Sequence, residues 1–452
     1  MNQMMSKTLV VILAATIFLS CNRGSEAPKS PLVSYADSLF QTSVDKAFIA
    51  GASVIVYQNG KELLNKTYGF ASIELQAPMP ENPSFEIGSV TKQFTAAAIL
   101  RLVEDGKLSL EDDFTQYMEF DTKGRVVTVG HLLNHTSGID SYTEISGFGD
   151  LAVHDYERDS LVRLVEQQNF LFEPGEALIY NNSAFFFLGL IIEKVSGMSY
   201  EDYLKEAFFT PLGMSNTYYC STSEVVAGKV YGYGYSGDGL RQKQFIEHTW
   251  PYAAGSLCST TEDLLIWMKA LHGGKIFGTD SYQKMITPGT LSDGTGVRYA
   301  MGLTNYSNFG NQEIGHGGGI PGFLSQTTYF PESDLYLICL VNTTGPMGAP
   351  YFVEELTWKI LEKKQYEKIE LDIDKSSLAG TYSGQARGQK MTLTIEEVAD
   401  GITLLNEGES EPDTLDIYVG NSTWMDGNST VQFRDSELHL DQRYNHYVLS
   451  KE

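Results

Sequence analysis

The sequence is short of basic residues and of cysteines. Its 452 residues contain 32 Lys and Arg against 57 Asp and Glu, a formal net charge of −25. This balance excludes a surface built to neutralise a nucleic-acid backbone, because such a surface needs clustered cations. Besides Cys21, the cysteines are Cys220, Cys258 and Cys339, an odd set without CxxC spacing. They indicate neither a metal site nor a disulfide framework, and at most one pair can form, which the sequence does not identify.

Several common catalytic motifs are also absent. The chain has no Gly-x-Ser-x-Gly elbow, no His-Glu-x-x-His zinc helix and no Walker loop. A Gly-x-Gly-x-x-Gly string occurs at 317–322, but Pro321 lies inside it and a strand pattern follows instead of a helix. A dinucleotide site is therefore not indicated, and we expect neither a metal nor an organic cofactor.

The N-terminus has the features of an export signal. Residues 1–20 contain Lys7 and then an apolar run, 8–19, that is too short to span a bilayer but suits a signal-peptide core. The sequence around Cys21 resembles the bacterial lipoprotein cleavage box, with Phe18 where Leu is usual; the alternative is a plain secretory signal. We expect a signal peptide at 1–20, a lipidated tether at 21–34, and an exported lipoprotein, periplasmic or outer-membrane-associated, that meets the membrane through its N-terminal lipid only.

Strand patterns lie at both ends of the region that follows the tether. Residues 52–57 and 62–70 flank Asn59-Gly60, a strong hairpin signal, and strands return at 323–330 and 335–341 around a turn at 331–334. Helical patterns fill the region from Ser89 to Leu271. A first helix is predicted over Tyr35–Phe48, and a last one carries Val353, Leu356 and Ile360 at helical spacing. These patterns predict an α+β domain over 35–363, with one sheet flanked by helices and an inserted helical subdomain.

The composition changes after Lys364. Short alternating stretches at 390–395, 402–405 and 439–446 are separated by Gly and Asn turns. We therefore predict a linker at 364–375 and a separate small β domain at 376–452.

Three Ser-x-x-Lys strings are present, at Ser43, Ser89 and Ser281. One helical turn places such a hydroxyl and amine on the same face, close enough for proton transfer. Ser89 precedes residues 94–100, which are apolar on nearly all sides, so the helix it begins is buried and its N-terminus favours an oxyanion. Ser43 falls in an amphipathic helix, where a solvated face is expected, and Ser281 lies in a Gly-rich connection without a strong helix after it.

Tyr-x-Asn and His-x-Gly strings are likewise repeated. Tyr180 follows the Pro174-Gly175 turn and precedes an apolar helix predicted at 184–195, whereas Tyr57 and Tyr306 lie in or beside strand patterns. His272 ends a helix predicted to open with a capping box from Ser259 to Glu262. His316 stands in a glycine run predicted to lie just before a strand, where a substrate can approach backbone N–H groups.

In order, Ser89-Val90-Thr91-Lys92, Tyr180-Asn181-Asn182 and His316-Gly317-Gly318 resemble the motifs of the serine β-lactamase and penicillin-binding-protein superfamily, in its class C and esterase-like branch. The resemblance covers about Tyr35 to Leu361. Supporting strings are Phe85-Glu86-Ile87-Gly88, Leu132 to Gly138, Pro174-Gly175-Glu176 and Ala253-Ala254-Gly255-Ser256. The stretch from Leu378 to Tyr382 resembles the lipocalin-like β domain appended to some members.

The resemblance implies a role for each site residue. Ser89 is the nucleophile, and Lys92 and Tyr180 form the general base and acid pair. Asn182 orients Lys92, and the N–H groups of Ser89 and Gly319, beside Gly318, form the oxyanion hole.

The third motif departs from the β-lactam-recognising members. They usually carry Lys-Thr-Gly, whose ammonium holds the substrate carboxylate, and this chain has His316 instead. We therefore expect a small-molecule ester, amide or D-amino-acid peptide as substrate, ahead of β-lactamase or D,D-carboxypeptidase activity. A slowly acylating binding or sensor protein is a further alternative. The oligomeric state is not indicated.

Overall fold

The computed structural model describes residues 30–452. The predicted signal peptide and the predicted lipidation site, Cys21, lie outside the described residues, as does the predicted tether up to residue 29. The end of that predicted tether instead belongs to a helix that begins at Pro31, where the proline fits the first helical position and Ser30 caps it. Within the described range, no helix combines the length and the hydropathy needed to cross a bilayer.

Twelve α-helices lie among the described residues. They are α1 Pro31–Asp45, α2 Thr91–Glu104, α3 Val129–Leu133, α4 Phe148–Leu151, α5 Arg158–Glu166, α6 Asn182–Ser196, α7 Tyr200–Leu204, α8 Thr210–Leu212, α9 Tyr252–Gly255, α10 Thr261–His272, α11 Thr279–Ile286 and α12 Ala349–Thr357. A π-helical turn, Lys205–Phe209, joins α7 to α8. Short 3₁₀ turns cover Gly88–Val90, Phe114–Gln116, Tyr142–Glu144, Pro331–Ser333 and Lys375–Ser377.

The strands before residue 345 form a main sheet and two small ones. They are β1 Gly51–Gln58, β2 Lys61–Ser72, β3 Ala77–Pro78, β4 Phe85–Glu86, β5 Tyr218–Tyr219, β6 Tyr233–Ser236, β7 Gly239–Gln242, β8 Leu257–Ser259, β9 Thr304–Asn308, β10 Asn311–Ile320, β11 Phe323–Phe330, β12 Leu335–Val341 and β13 Thr343–Thr344. The main sheet is antiparallel, in the order β3-β2-β1-β12-β11-β10-β9. It joins the first strands of the domain to the last, as the sequence predicts.

The central strand β12 shows why this sheet is buried on both faces. All seven of its residues are buried. Leu335, Leu337, Cys339 and Val341 pack with α1 and α12 on one face. Tyr336, Ile338 and Leu340 join the core of the helical subdomain on the other. A continuous apolar run therefore serves two cores, because successive side chains of a strand point to opposite faces.

The helical subdomain lies between β4 and β9 and contains α2 to α11. Eleven of the fourteen residues of α2 are buried, in agreement with its predicted burial. Helix α6 packs beside it with nine buried residues. The two helices bring Ser89, just before α2, and Tyr180, just before α6, to one end of the subdomain.

Several predicted boundaries need correction. The first helix ends at Asp45 rather than Phe48, and Ile360 lies beyond α12. The cap of α10 is Thr260, whose hydroxyl accepts the N–H of Asp263, so the predicted Ser259 to Glu262 capping box is wrong. The glycine run around His316 lies inside β10 rather than before a strand. The N–H groups of this run therefore belong to a strand. Glycine at these positions lets neighbouring backbone approach the strand closely.

Nine C-terminal strands curl into a nearly closed barrel. They are β14 Gly380–Ala386, β15 Gln389–Val398, β16 Gly401–Asn406, β17 Asp413–Leu415, β18 Ile417–Gly420, β19 Thr423–Asp426, β20 Ser429–Arg434, β21 Glu437–Asp441 and β22 His446–Lys451. Their order is β17-β16-β15-β14-β22-β21-β20-β19-β18, and Trp424 is fully buried in the core. The stretch 439–446 is not one strand as predicted, because the chain turns between β21 and β22.

A disulfide joins Cys220 to Cys258 in β8, and Cys339 is a buried free thiol. The sequence leaves this pairing open because the two half-cystines are 38 residues apart, without local signature. The bridge fixes the small sheet β4-β8-β5 that leads directly into Ser89.

Candidate active site

Ser89 and Lys92 meet at the start of α2. Ser89 lies in the 3₁₀ turn Gly88–Val90 and is partly exposed, whereas Lys92 is fully buried. The Nζ of Lys92 lies 3.2 Å from the Oγ of Ser89. The amine is therefore in hydrogen-bonding contact with the hydroxyl, as one helical turn of spacing predicts.

Two oxygen acceptors hold the Lys92 amine in place. Nζ donates to the Oδ1 of Asn182 at 2.8 Å and to the carbonyl of Ala254, also at 2.8 Å. Neither partner is a carboxylate. Burial, with the charge of Arg387 adding to it, holds the pKa of Lys92 well below its usual value. A lowered pKa of this kind favours the neutral amine, which is the form that accepts a proton.

Tyr180 lies beside this pair with an uncommitted hydroxyl. The centre of its ring is 4.8 Å from the Nζ of Lys92. The buried hydroxyl has no hydrogen-bond partner within residues 30–452. Burial raises the pKa of Tyr180, and the nearby Ser89 hydroxyl opposes that rise. Burial thus keeps the phenol protonated beside the Ser89 hydroxyl.

The backbone of β10 passes close to Ser89. The N–H of Gly317 donates to a group outside the sheet, the hydroxyl of Tyr444, so it points away from β11. Because N–H directions alternate along a strand, the N–H of Gly319 points the same way. A Cβ on Gly88 would lie 2.9 Å from the nitrogen of Gly319, which places that nitrogen against the residue before Ser89. The oxyanion hole expected at Ser89 and Gly319 stays a prediction, and the close approach of β10 to the turn of Ser89 is compatible with it.

The side chain of His316 is buried beside the site and is not exposed to a bound molecule. Its side chain is 1 % exposed, with Nε2 2.9 Å from the hydroxyl of Tyr299 and Nδ1 against the carbonyl of Gly317. Burial and the neighbouring Lys92 lower the pKa of His316 to about 3. The ring is therefore uncharged at neutral pH and offers no cation to a substrate carboxylate.

The other copies of the motifs lie apart from this site. Ser43 is buried in α1 and donates to the carbonyl of Leu39, so the expected solvated face is wrong for it. Ser281 lies inside α11, contrary to the expected absence of a helix, and faces Glu104. His272 contacts Tyr282 at the far end of α10. Of the three Ser-x-x-Lys strings, the structure brings the one at Ser89 to Tyr180.

The barrel supplies side chains to the site that sequence reasoning did not identify. The hydroxyl of Tyr444 contacts Gly317, and the Oδ1 of Asn445 accepts the N–H of Tyr180 at 2.9 Å. The guanidinium of Arg387 lies 5.5 Å from the centre of the Tyr180 ring. It donates to Glu144 and to Thr143, which in turn contacts Asn182. No local pattern marks these residues, because they belong to turns of the barrel.

A buried carboxylate lies three residues before Ser89. Glu86 is 4 % exposed, and its carboxylate lies 2.8 Å from Lys243 and 3.7 Å from His248. Burial opposes ionisation, but these neighbours outweigh it and lower the pKa of Glu86 to about 2. A cavity of about 870 Å³ adjoins this cluster. Among the residues described, no three His, Cys, Asp or Glu side chains are grouped as metal ligands.

Comparison with known proteins identifies the family of this chain. Penicillin-binding protein 4* of Bacillus subtilis is 29% identical over 392 residues, covering 82% of this chain and 86% of the relative. The octameric penicillin-binding protein homologue of Pyrococcus abyssi has a TM-score of 0.65 at 26% identity, covering 92% of this chain and all of the other. A D-stereospecific amidohydrolase of Streptomyces has a TM-score of 0.61 at 25% identity, covering 71% of this chain and 97% of the other. The Beta-lactamase family model matches residues 36–359, and the chain therefore belongs to the β-lactamase and penicillin-binding-protein family of serine hydrolases.

Proposed function

We propose that this protein hydrolyses small amides or esters through an acyl-enzyme on Ser89. The observation that carries the proposal is the buried, carboxylate-free Lys92 amine in contact with the Ser89 hydroxyl. A neutral amine there accepts the hydroxyl proton as Oγ bonds to the substrate carbonyl carbon. The carbonyl oxygen then takes the negative charge and is met by the N–H groups of Ser89 and Gly319.

Tyr180 completes the acylation step in this proposal. As the tetrahedral intermediate collapses, the bond to the leaving nitrogen or oxygen breaks and the phenol gives that atom a proton. Lys92 then returns its proton to Tyr180, so the charges of the site are restored. Water attacks the acyl-enzyme by the reverse proton path and releases the acid. Asn182 keeps the Lys92 amine directed at Ser89 during both steps.

The proposed substrate class follows from the charges of the cleft. The uncharged, enclosed His316 does not offer the cation that a β-lactam carboxylate needs at the third motif. The Streptomyces neighbour is described as a D-stereospecific amidohydrolase, which favours amides of D-amino acids among the small substrates to test.

A substrate panel with matched serine variants tests the proposal. Release of ammonia from D-phenylalanine amide, release of methanol from D-phenylalanine methyl ester and ring opening of nitrocefin are measured separately. We expect amide or ester turnover to exceed nitrocefin turnover in the native protein. Ser89→Ala abolishes it, and Ser281→Ala, in the motif copy outside the site, retains it. Equal loss in both variants, or turnover that survives Ser89→Ala, contradicts the proposal.

We also propose that the protein is exported and anchored by lipid at Cys21. The support is the apolar run before this cysteine. Metabolic labelling with a fatty-acid analogue tests it: the native protein takes up label and Cys21→Ala does not. Equal labelling of both contradicts the anchor.

A further inference from the structure

The turn between β21 and β22 of the barrel lies against the catalytic wall. Tyr444 accepts the N–H of Gly317 at 2.8 Å, and Asn445 accepts the N–H of Tyr180. The backbones of Leu178 and His446 also pair with each other. Two consecutive side chains of one barrel turn thus hold the strand of the oxyanion hole and the proton-donating tyrosine.

Tyr444 occupies an edge of β10 that is otherwise open to a substrate. Pairing of β10 with β9 ends at Gly315, so among residues 30–452 no strand pairs with the backbone from Gly317 onward on that side. An extended peptide can add to such an edge through its main-chain groups. The hydroxyl of Tyr444 takes the first N–H of this edge, while Gly319 lies one N–H further along the same side.

The Tyr444 ring also walls the side of the cleft where the leaving group departs. Its centre is 5.8 Å from the centre of the Tyr180 ring and 5.0 Å from that of His316. In the proposed reaction the Tyr180 hydroxyl protonates the leaving atom, so the leaving group must lie beside Tyr180. The ring of Tyr444 therefore borders the space that a leaving group has to enter.

The turn is held firmly on both sides of this ring. Arg443 forms an ion pair with Glu313 of β10, and Arg298 forms one with Asp441 at the end of β21. The Arg298 and Asp441 side chains are only 12% and 16% exposed. Partly buried, hydrogen-bonded ion pairs fix geometry better than exposed ones. The wall made by Tyr444 is thus a fixed part of the cleft.

We infer that Tyr444 sets an upper limit on leaving-group size, so that the barrel restricts this hydrolase to substrates that release a small group such as ammonia, a short amine or a short alcohol. The inference rests on the proposed function of Ser89. It gives the C-terminal domain a direct part in specificity, through a side chain 127 residues from the glycine that it contacts.

Two phosphonylating probes with the same ethyl phosphonyl group and different leaving groups test this inference. One releases fluoride, and the other releases p-nitrophenolate. The ratio of their second-order rates of Ser89 labelling, measured by intact mass, isolates the leaving-group effect from the unknown acyl preference. The native protein is expected to favour fluoride release. Tyr444→Ala should shift the ratio toward the bulky leaving group at least tenfold, and Tyr444→Phe, which keeps the ring, should leave it near the native value.

Tyr444→Leu is a second variant that removes the aromatic ring. The melting temperature of each variant shows whether it is folded. An unchanged ratio in a folded Tyr444→Ala or Tyr444→Leu protein overturns the inference. An equal shift in Tyr444→Phe also overturns it, because the hydroxyl rather than the ring would then set the ratio. If neither probe labels the native protein, the proposed function fails and this inference fails with it.

Discussion

Gly318 packs directly onto the carbonyl group of Ile87. A Cβ at position 318 would lie 2.1 Å from that oxygen and 2.3 Å from the Oγ of Ser325, which itself donates to the same carbonyl at 2.7 Å. No side chain fits there without moving β10 away from the turn that holds Ser89. This contact sets the spacing between the two proposed oxyanion donors.

We predict that Gly318→Ala reduces kcat about 10²-fold or more, the scale of losing one oxyanion donor, because the strand must shift. Gly319→Ala is the matched control. A Cβ at position 319 meets only Leu324, at 3.5 Å, and the residue keeps its N–H. Its kcat should stay within a few-fold of the native value. Steady-state kinetics on one ester checks both variants, and equal effects would contradict the role of this contact.

The charge of Arg387 should tune the pH dependence of the reaction. Burial and Arg387 both lower the pKa of Lys92, and the lysine acts as a base only above that pKa. Removing the guanidinium makes the ammonium form less unfavourable, so the pKa rises. Arg387→Gln should therefore move the acid limb of the pH profile of kcat/KM to higher pH.

Further variants test whether the positive charge of Arg387 causes this shift. Arg387→Lys keeps the positive charge and should leave the acid limb close to its native position. Arg387→Gln combined with Glu144→Gln is compared with Glu144→Gln alone, so that the effect of the guanidinium is measured without the carboxylate that pairs with it. An acid limb that stays in place or moves to lower pH in Arg387→Gln contradicts the electrostatic role.

The Glu86 cluster should stabilise the fold above acidic pH. The folded-state pKa of Glu86, about 2, lies below its ordinary value of 4.5. This stabilisation is therefore present above about pH 4.5 and is lost as the pH falls toward 2. Lys243→Met should lower the free energy of unfolding at pH 7 by about 2 kcal/mol, less than the ~3–5 kcal/mol of a fully buried pair, because Lys243 is partly exposed.

Urea unfolding at pH 7 and pH 3 measures the effect of Lys243→Met. The difference from the native protein should shrink at pH 3, where the ordinary carboxyl is protonated. Lys229→Met, 3.9 Å from the same carboxylate, should have a smaller effect at pH 7. A deficit for Lys243→Met that is the same at both pH values would contradict the assignment.

The Cys220–Cys258 bridge should stabilise the small sheet beside Ser89. A bridge that closes a loop of this length lowers the conformational entropy of the unfolded chain. This effect stabilises the folded protein by up to about 4 kcal/mol. The double variant Cys220→Ala, Cys258→Ala should therefore melt at a lower temperature, whereas Cys339→Ala leaves the bridge intact. Peptide mapping without reductant should recover the two linked peptides, and their recovery as separate alkylated thiols would contradict the bridge.

The sequence predicts the local elements of the fold well where one pattern decides them. Asn59 and Gly60 both adopt positive φ, 49° and 79°, in the hairpin between β1 and β2, as the dipeptide indicates. The strands at 323–330 and 335–341 have the predicted bounds because apolar runs and a turn signal coincide there. Boundaries that are set by tertiary contacts, such as the end of α12, could not be predicted as well from the sequence.

The part of the site that follows from local sequence patterns was likewise predictable. Ser89 and Lys92 are one helical turn apart, so spacing alone relates them, and motif order relates them to Tyr180. Tyr444 and Arg387 are different, since each lies in a barrel turn whose sequence resembles any polar turn. Only the docking of the barrel on the hydrolase domain brings them to Tyr180. Such long-range contacts leave no local pattern to detect.

The proposed reaction requires that Ser89 is the residue that becomes acylated. Labelling with an ethyl fluorophosphonate, followed by digestion and tandem mass spectrometry, identifies the nucleophile. We predict one phosphonyl group per chain, on the peptide that contains Ser89, and no labelling of Ser89→Ala. Label on another serine, or label that persists in Ser89→Ala, would show that Ser89 is not the nucleophile.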